Sequence, residues 1–156
     1  MLGPTGIREM VPLDLPAVME IEQASFSNPW TRRGFLAALD QANVAAYVCA
    51  LGRQVIAYFV LSFEGREAHI MNLAVHPDYR RHGIATDCLH FIDRVAQRWD
   101  SAQISLEVEE SNLAAQLCYK KAGYRGTRVL RNYYPDTQED GYRMVRKLPD
   151  PARATR

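Results

Sequence analysis

The sequence has little of what marks several large protein classes. Its three cysteines, Cys49, Cys88 and Cys118, are odd in number, widely spaced and form no C-x-x-C pair. That fits small core residues with reduced thiols and a cytoplasmic setting, not a disulfide framework. The four histidines, His69, His76, His82 and His90, have no partner at a familiar zinc spacing, so no metal site is expected. No apolar run approaches the ~20 residues of a membrane-spanning helix, and the first residues lack the basic-then-apolar pattern of a secretory signal. Neither sign of charge dominates: the formal net charge is +1 with the charges intermixed, so no basic stripe points to nucleic acid. There are no internal repeats, and neither G-x-G-x-x-G nor the Walker P-loop is present, which disfavours dinucleotides and nucleoside triphosphates.

What remains is an ordinary globular balance. With 156 residues, 47% of them hydrophobic, the chain is long enough for one domain with its own core. That domain is expected over residues 5–148, with residues 149–156, which hold two prolines, as a disordered tail and the first four residues also loose. Hydrophobic periodicity and turn residues predict strands near 6–10, 44–51, 55–63, 68–75, 104–108, 124–130 and 142–148. They predict helices from Asp14, as a cap, to about residue 24, from Thr31 to about 41, over 83–99 and over 112–122, the last closed by Gly123. The expected class is α/β (α+β): a mixed central sheet of about seven strands with helices on both faces. The segment 68–108 reads as a strand–helix–strand crossover between parallel strands. Ligands of such units bind beyond the carboxyl ends of the strands, here Val75 and Val108.

The first of these ends runs Val75-His76-Pro77-Asp78-Tyr79-Arg80-Arg81-His82-Gly83-Ile84-Ala85-Thr86. From Arg81 to Ala85 no proline removes an N–H donor, and a helix begins there, so the segment can either bind an anion or be a plain loop with solvated arginines. Gly83 removes a Cβ where a phosphate would approach. At the second end, Glu107 lies in the strand Ile104-Ser105-Leu106-Glu107-Val108, on the face opposite its apolar neighbours. A carboxylate there is either paired at an exposed edge or used in chemistry. Asn112, Gln116 and Tyr119 fall on one face of the following helix. Asn112 suits a helix cap, and Tyr119 either a packing aromatic or an acid.

Arg80-x-x-Gly83-x-Ala85 after an apolar strand resembles the pyrophosphate-binding signature of the GNAT acetyltransferases, and the element order is similar to that fold along nearly the whole chain. Leu106-Glu107-Val108, Ser111-Asn112, Leu117-Cys118-Tyr119 and Arg131-Asn132-Tyr133-Tyr134-Pro135 further resemble the ribosomal-protein-alanine N-acetyltransferases of that superfamily. The resemblance implies acetyl-coenzyme A as co-substrate, with Leu73, Ala74 and Val75 along its acetyl and pantetheine arm. It implies that Arg80, Arg81, His82, Gly83, Ile84, Ala85 and Thr86 hold the pyrophosphate and that Asn112 contacts the cofactor. Glu107 would be general base and Tyr119 general acid. Trp30, in the loop from Phe26, would form one wall of a peptide cleft. Arg131, Asn132, Tyr133 and Tyr134, in what reads as a long loop over 131–141, would form the other. Tyr142 and Arg143 stand where relatives would carry smaller or apolar residues. The implied acceptor is the α-amino group of a protein N-terminus, such as that of a small-subunit ribosomal protein. A GNAT enzyme of free small amines and a non-catalytic acyl-coenzyme A sensor are the alternatives. The aromatic segment at 131–135 disfavours the first, and the presence of both Glu107 and Tyr119 disfavours the second.

Overall fold

The computed structural model describes residues 5–150, so most of the predicted loose ends lie outside the described residues. Seven strands and four helices follow in the order β1 (Thr5–Glu9), α1 (Leu15–Ser25), α2 (Arg32–Leu39), β2 (Val44–Leu51), β3 (Gln54–Glu64), β4 (Glu67–Val75), α3 (Ile84–Arg98), β5 (Gln103–Glu109), α4 (Leu113–Lys121), β6 (Arg125–Tyr134) and β7 (Glu139–Lys147). Short 3-10 turns sit at Pro12–Asp14 and Pro77–Tyr79. The strands form one mixed sheet in the order β1-β2-β3-β4-β5-β7-β6, which bears out the expected class. β4 and β5 are parallel, with Glu67 opposite Gln103, Ala68 opposite Ile104 and His69 opposite Ser105. The last strand inserts between β5 and β6 and runs antiparallel to both. None of the described helices is long and apolar enough to cross a membrane.

The described residues fold into two compact units: 5–62 with 70–91, and 63–69 with 92–150. In the first, α1 presents Leu15, Val18 and Ile21 at helical spacing, and all three are fully buried together with Phe35 of α2 and Val48, Tyr58 and Val60 of the sheet. Each such side chain contributes roughly 1.5–3 kcal/mol of burial. β3 is buried on both faces over most of its length, as its unbroken apolar run requires. Thr31 caps α2 as predicted, its hydroxyl accepting from the Gly34 N–H at 3.1 Å. Asp14 does not cap α1. Its carboxylate instead accepts from the Val11 N–H (2.8 Å) and a bidentate Arg8 guanidinium (2.8 Å to each oxygen), closing the preceding 3-10 turn. An arginine fork on a nearly buried carboxylate outcompetes a single amide.

In the second unit, Ile104, Leu106 and Val108 of β5 are buried. Trp99, the last residue of the predicted helix over 83–99, follows the end of α3 and is 43% exposed, yet its ring stacks on Phe63 at 4.0 Å. Gly123 follows α4 at φ +97°, a left-handed position that favours glycine at a helix end. The predicted long loop over 131–141 is a correction. Its first four residues complete β6, residues 139–141 begin β7, and only 135–138 turn. The run reads as a loop because turn-forming Pro135, Asp136, Asp140 and Gly141 crowd it, and its pairing in the fold is irregular. The register shifts between Leu130 and Tyr134, Asn132 takes φ +50°, and the Asp140 carboxylate bridges the irregularity, accepting from the Asn132 N–H (2.8 Å) and Arg131 Nη1 (3.0 Å).

Candidate active site

In the first unit, β4 ends at Val75, and the chain passes through the Pro77–Tyr79 turn into a loop before α3. Arg81 (φ +66°) and Gly83 (φ +77°) both occupy the left-handed region. For Arg81 this is a strained position that costs roughly 1–2 kcal/mol. Among the described residues the loop N–H groups of Arg81, His82 and Gly83 donate to no backbone acceptor, and the first N–H groups of α3 have none within the helix. Open space surrounds the Gly83 Cα where a side chain would project. The result is a row of free donors at a helix start, the chemistry that holds a phosphate. Arg80 is engaged elsewhere: its Nε donates to the Val75 carbonyl and its Nη2 to the Ser25 hydroxyl, both at 3.1 Å. It therefore braces the loop from below. Trp30, in the segment after α1, packs on Phe35 with ring centroids 5.1 Å apart, and its N–H points at Glu22 Oε2 (3.4 Å).

In the second unit, Glu107 does not stand alone. Its Oε2 lies 2.9 Å from His69 Nε2, and both side chains are largely buried, with exposures of 21% and 27%. His69 Nδ1 is 2.7 Å from Ser105 Oγ, which lies 3.1 Å from Glu67 Oε2. Glu67 Oε1 also accepts from Gln103 (2.6 Å) and from Arg143 Nη2 (2.7 Å). Burial alone would raise the Glu67 carboxyl, but the hydrogen bonds from Gln103, Arg143 and Ser105, with the Arg143 charge, carry it below the ordinary carboxylate value. Ser105 has one hydroxyl proton, which goes to Glu67 or to His69 Nδ1 according to the histidine tautomer. At 2.9 Å, the His69 Nε2 contact with the Glu107 carboxylate is a hydrogen bond carried by one proton. Arg143, opposite Glu107 in the β5–β7 register, sends its guanidinium to Glu67 and leaves Glu107 to the histidine.

The tyrosines gather on the same side of this network. Burial, the Glu107 charge and a hydrogen bond with Glu107 raise the Tyr133 phenol. Tyr134, in edge contact with Tyr133 at 5.1 Å, is raised by burial first and then by Glu109, Tyr133, Glu107 and Tyr119. Tyr119, on α4, is raised chiefly by burial and packs against Tyr124 at 5.9 Å. Each phenol therefore holds its proton at neutral pH and can donate it. Asn112 caps α4, its Oδ1 accepting from the Ala115 N–H (3.2 Å), and Gln116 ties the helix to the Glu109 and Glu110 carbonyls (3.0 Å each). Arg131 pairs with Asp140. Among the described residues no cluster of His, Cys, Asp or Glu could hold a metal ion.

Of the predicted residues, the second unit brings Tyr134 into electrostatic reach of Glu107, Tyr119 and Tyr133, and Tyr133 into hydrogen-bond contact with Glu107. The first unit gathers Leu73, Ala74, Val75 and the residues from Arg80 to Thr86 at one strand end. His69, Ser105 and Glu67 were missed, and Arg143 was singled out only as a departure from relatives, not as a partner of Glu67. The signal for them was faint: Glu67 and His69 alternate on one face of β4, but their partners become visible only once the parallel register is known.

The profile of the Acetyltransferase (GNAT) family matches residues 15–124. The [ribosomal protein bS18]-alanine N-acetyltransferase of Escherichia coli strain K12 is 33% identical over 137 residues, covering 87% of this chain and 91% of that protein. The crystal structure of the ribosomal-protein-S18-alanine N-acetyltransferase from Escherichia coli superposes with a TM-score of 0.86 at 28% identity, covering 94% of this chain and 96% of the other. Ard1 from Thermoplasma volcanium superposes with a TM-score of 0.87 at 28% identity, over 94% of this chain and 99% of the other.

Proposed function

The chain belongs to the GNAT family and is an acetyl-coenzyme A-dependent N-acetyltransferase, and on that premise we propose that it acetylates the α-amino group of a protein N-terminus, with alanine as the preferred first residue. The observation that carries this reading is the placement of Glu107, held by His69 and neighboured by the Tyr133 phenol. One carboxylate suits an amine that is already partly neutral. An α-amino group, with a pKa of ~7.7–8.0, is neutral in roughly a tenth of molecules near pH 7, whereas a lysine amine at ~10.4 is almost wholly charged. The kinship with alanine N-acetyltransferases of ribosomal protein bS18 supports a ribosomal protein as the acceptor.

The co-substrate supplies an acetyl thioester. The N–H groups from Arg81 to Thr86 suit its pyrophosphate, with Arg80 bracing the loop and the backbone of Leu73, Ala74 and Val75 beside the acetyl arm. Asn112, already a helix cap, offers its amide nitrogen as a further contact. Glu107 takes the proton of the attacking amine, directly or through water. Tyr119 gives its phenolic proton to the departing sulfur. Trp30, Arg131, Asn132, Tyr133 and Tyr134 are the residues assigned to contact with the acceptor.

The test is a steady-state assay with acetyl-coenzyme A and a panel of acceptors. The expected order of kcat/KM is Ala-initiated peptides above other N-termini, and both above spermidine, free amino acids and lysine in N-terminally blocked peptides. A small amine or an internal lysine at the top of that order would overturn the reading.

A further inference from the structure

The most deeply buried carboxylate of the described residues takes no part in the chemistry above. Glu22, in the last turns of α1, is 1% exposed. Its Oε1 accepts from the Tyr58 hydroxyl and from Asn72 Nδ2 (2.7 Å). Its Oε2 accepts from the same amide (3.2 Å) and from the Trp30 N–H (3.4 Å). Every contact comes from a neutral donor, with no cation to offset the cost of burial. A carboxylate in that setting contributes little net stability against an apolar replacement, and what it secures is geometry. The Asn72 Oδ1 has no partner among the described residues. The Asn72 amide is therefore oriented from its nitrogen side, by Glu22 and by a hydrogen bond with the Tyr58 hydroxyl.

The three donors come from three segments, two of which the proposed reaction uses. Tyr58 belongs to β3. Asn72 immediately precedes Leu73, Ala74 and Val75, the backbone read as the acetyl arm's support. Trp30 ends the segment 26–30, read as one wall of the acceptor cleft. The same end of α1 is tied a second time by Ser25, whose hydroxyl accepts from Arg80 of the cofactor loop. Trp30 is held by its side chain as well, through Phe35, whose ring in turn meets Tyr58 edge-on at 5.9 Å.

We propose that Glu22 is the positioning residue for the acceptor wall: its carboxylate locks the backbone at Trp30 to the strand that supports the acetyl group, and so sets the distance between acceptor and thioester. This rests on the acceptor reading given above. An amide in place of the carboxylate brings a donor to a point where three donors already converge. Tyr58 can turn its hydroxyl to accept, so the loss falls on Asn72 and Trp30.

The experiment compares Glu22→Gln and Tyr58→Phe with the unaltered protein, using an Ala-initiated peptide, acetyl-coenzyme A titrations and thermal melts. Glu22→Gln should raise KM for the peptide on the order of tenfold while kcat and acetyl-coenzyme A affinity stay within about twofold. Tyr58→Phe, which keeps the ring and removes one donor, should raise KM in the same direction by a smaller factor, and it serves as the test if Glu22→Gln fails to fold. In a Trp99→Phe background the emission of Trp30 should shift in Glu22→Gln, a change that a distant packing defect would not produce. Unchanged KM in folded variants, or a fall in kcat at constant KM, overturns the inference alone. An unaltered protein that binds acetyl-coenzyme A yet acetylates no N-terminal peptide overturns the acceptor reading, and this inference with it.

Discussion

Replacing Glu107 by glutamine separates chemistry from architecture. The amide keeps the shape of the carboxylate and can exchange a hydrogen bond with His69 Nε2, which lies 2.9 Å from Glu107 Oε2, while the His69–Ser105 contact is kept. What is lost is the partly exposed pair itself, worth about 0.2–1 kcal/mol after screening. For a chain of this size that is a shift in Tm of at most about 2–4 °C. The catalytic loss is of another order. Removing a general base lowers the rate ~10²–10⁴-fold, or about 2.7–5.4 kcal/mol of transition-state stabilisation. The assay is kcat and KM with an Ala-initiated peptide from pH 6 to 10, alongside a melt and an acetyl-coenzyme A titration. The glutamine variant should bind acetyl-coenzyme A normally and should recover rate at high pH, where the acceptor amine is neutral without help. A folded variant that stays within threefold of the unaltered enzyme at every pH refutes the assignment of Glu107 as base.

Saturating acetyl-coenzyme A should stabilise the fold, by about 2.7 kcal/mol at 100 Kd, and Gly83→Val should abolish that gain because valine is strained at φ +77°; equal ligand-induced shifts in both proteins would refute the loop as the pyrophosphate site. Tyr119→Phe should lower kcat ~10²-fold or more with acetyl-coenzyme A affinity unchanged, and a normal kcat would leave the phenol a packing group only. The Glu67 carboxyl is held below its ordinary value in the fold, so its linked stability is present above the unfolded value of about 4.3 and is lost as pH falls through the folded value. Arg143→Met removes part of that depression. The variant should therefore be less stable at pH 7, by about 0.5–1 kcal/mol given partial exposure, with the difference closing towards pH 3; urea midpoints that differ equally at both pH values would contradict the linkage.

The residues alone determined the periodic parts of this protein. The apolar spacing in α1 and α3, the alternation in β5, the Thr31 and Asn112 caps and the Gly123 stop are all local, because each depends on neighbours a few positions away. The geometry of the candidate phosphate loop is local in the same way: a strand end, free N–H groups and a helix start are contiguous in sequence. The resemblance then supplied roles for Glu107 and Tyr119 that spacing by itself left open. Tertiary structure decided the rest. The insertion of β7 between β5 and β6 is a pairing choice among distant strands, and it brings Arg143 opposite Glu107. The parallel register of β4 and β5 places His69 against Ser105, which turns an isolated carboxylate into the end of a hydrogen-bonded chain reaching Glu67. The segment over 131–141 reads as a loop because proline, aspartate and glycine crowd it, yet Asp140 stitches its irregular pairing into strand. Glu22 looks like one more polar position on α1 until its helix is laid on the sheet, where Tyr58 and Asn72 meet it from positions 36 and 50 residues away. Buried polar groups must be satisfied wherever their partners lie, and no local pattern in a sequence records partners that only folding brings within 3 Å.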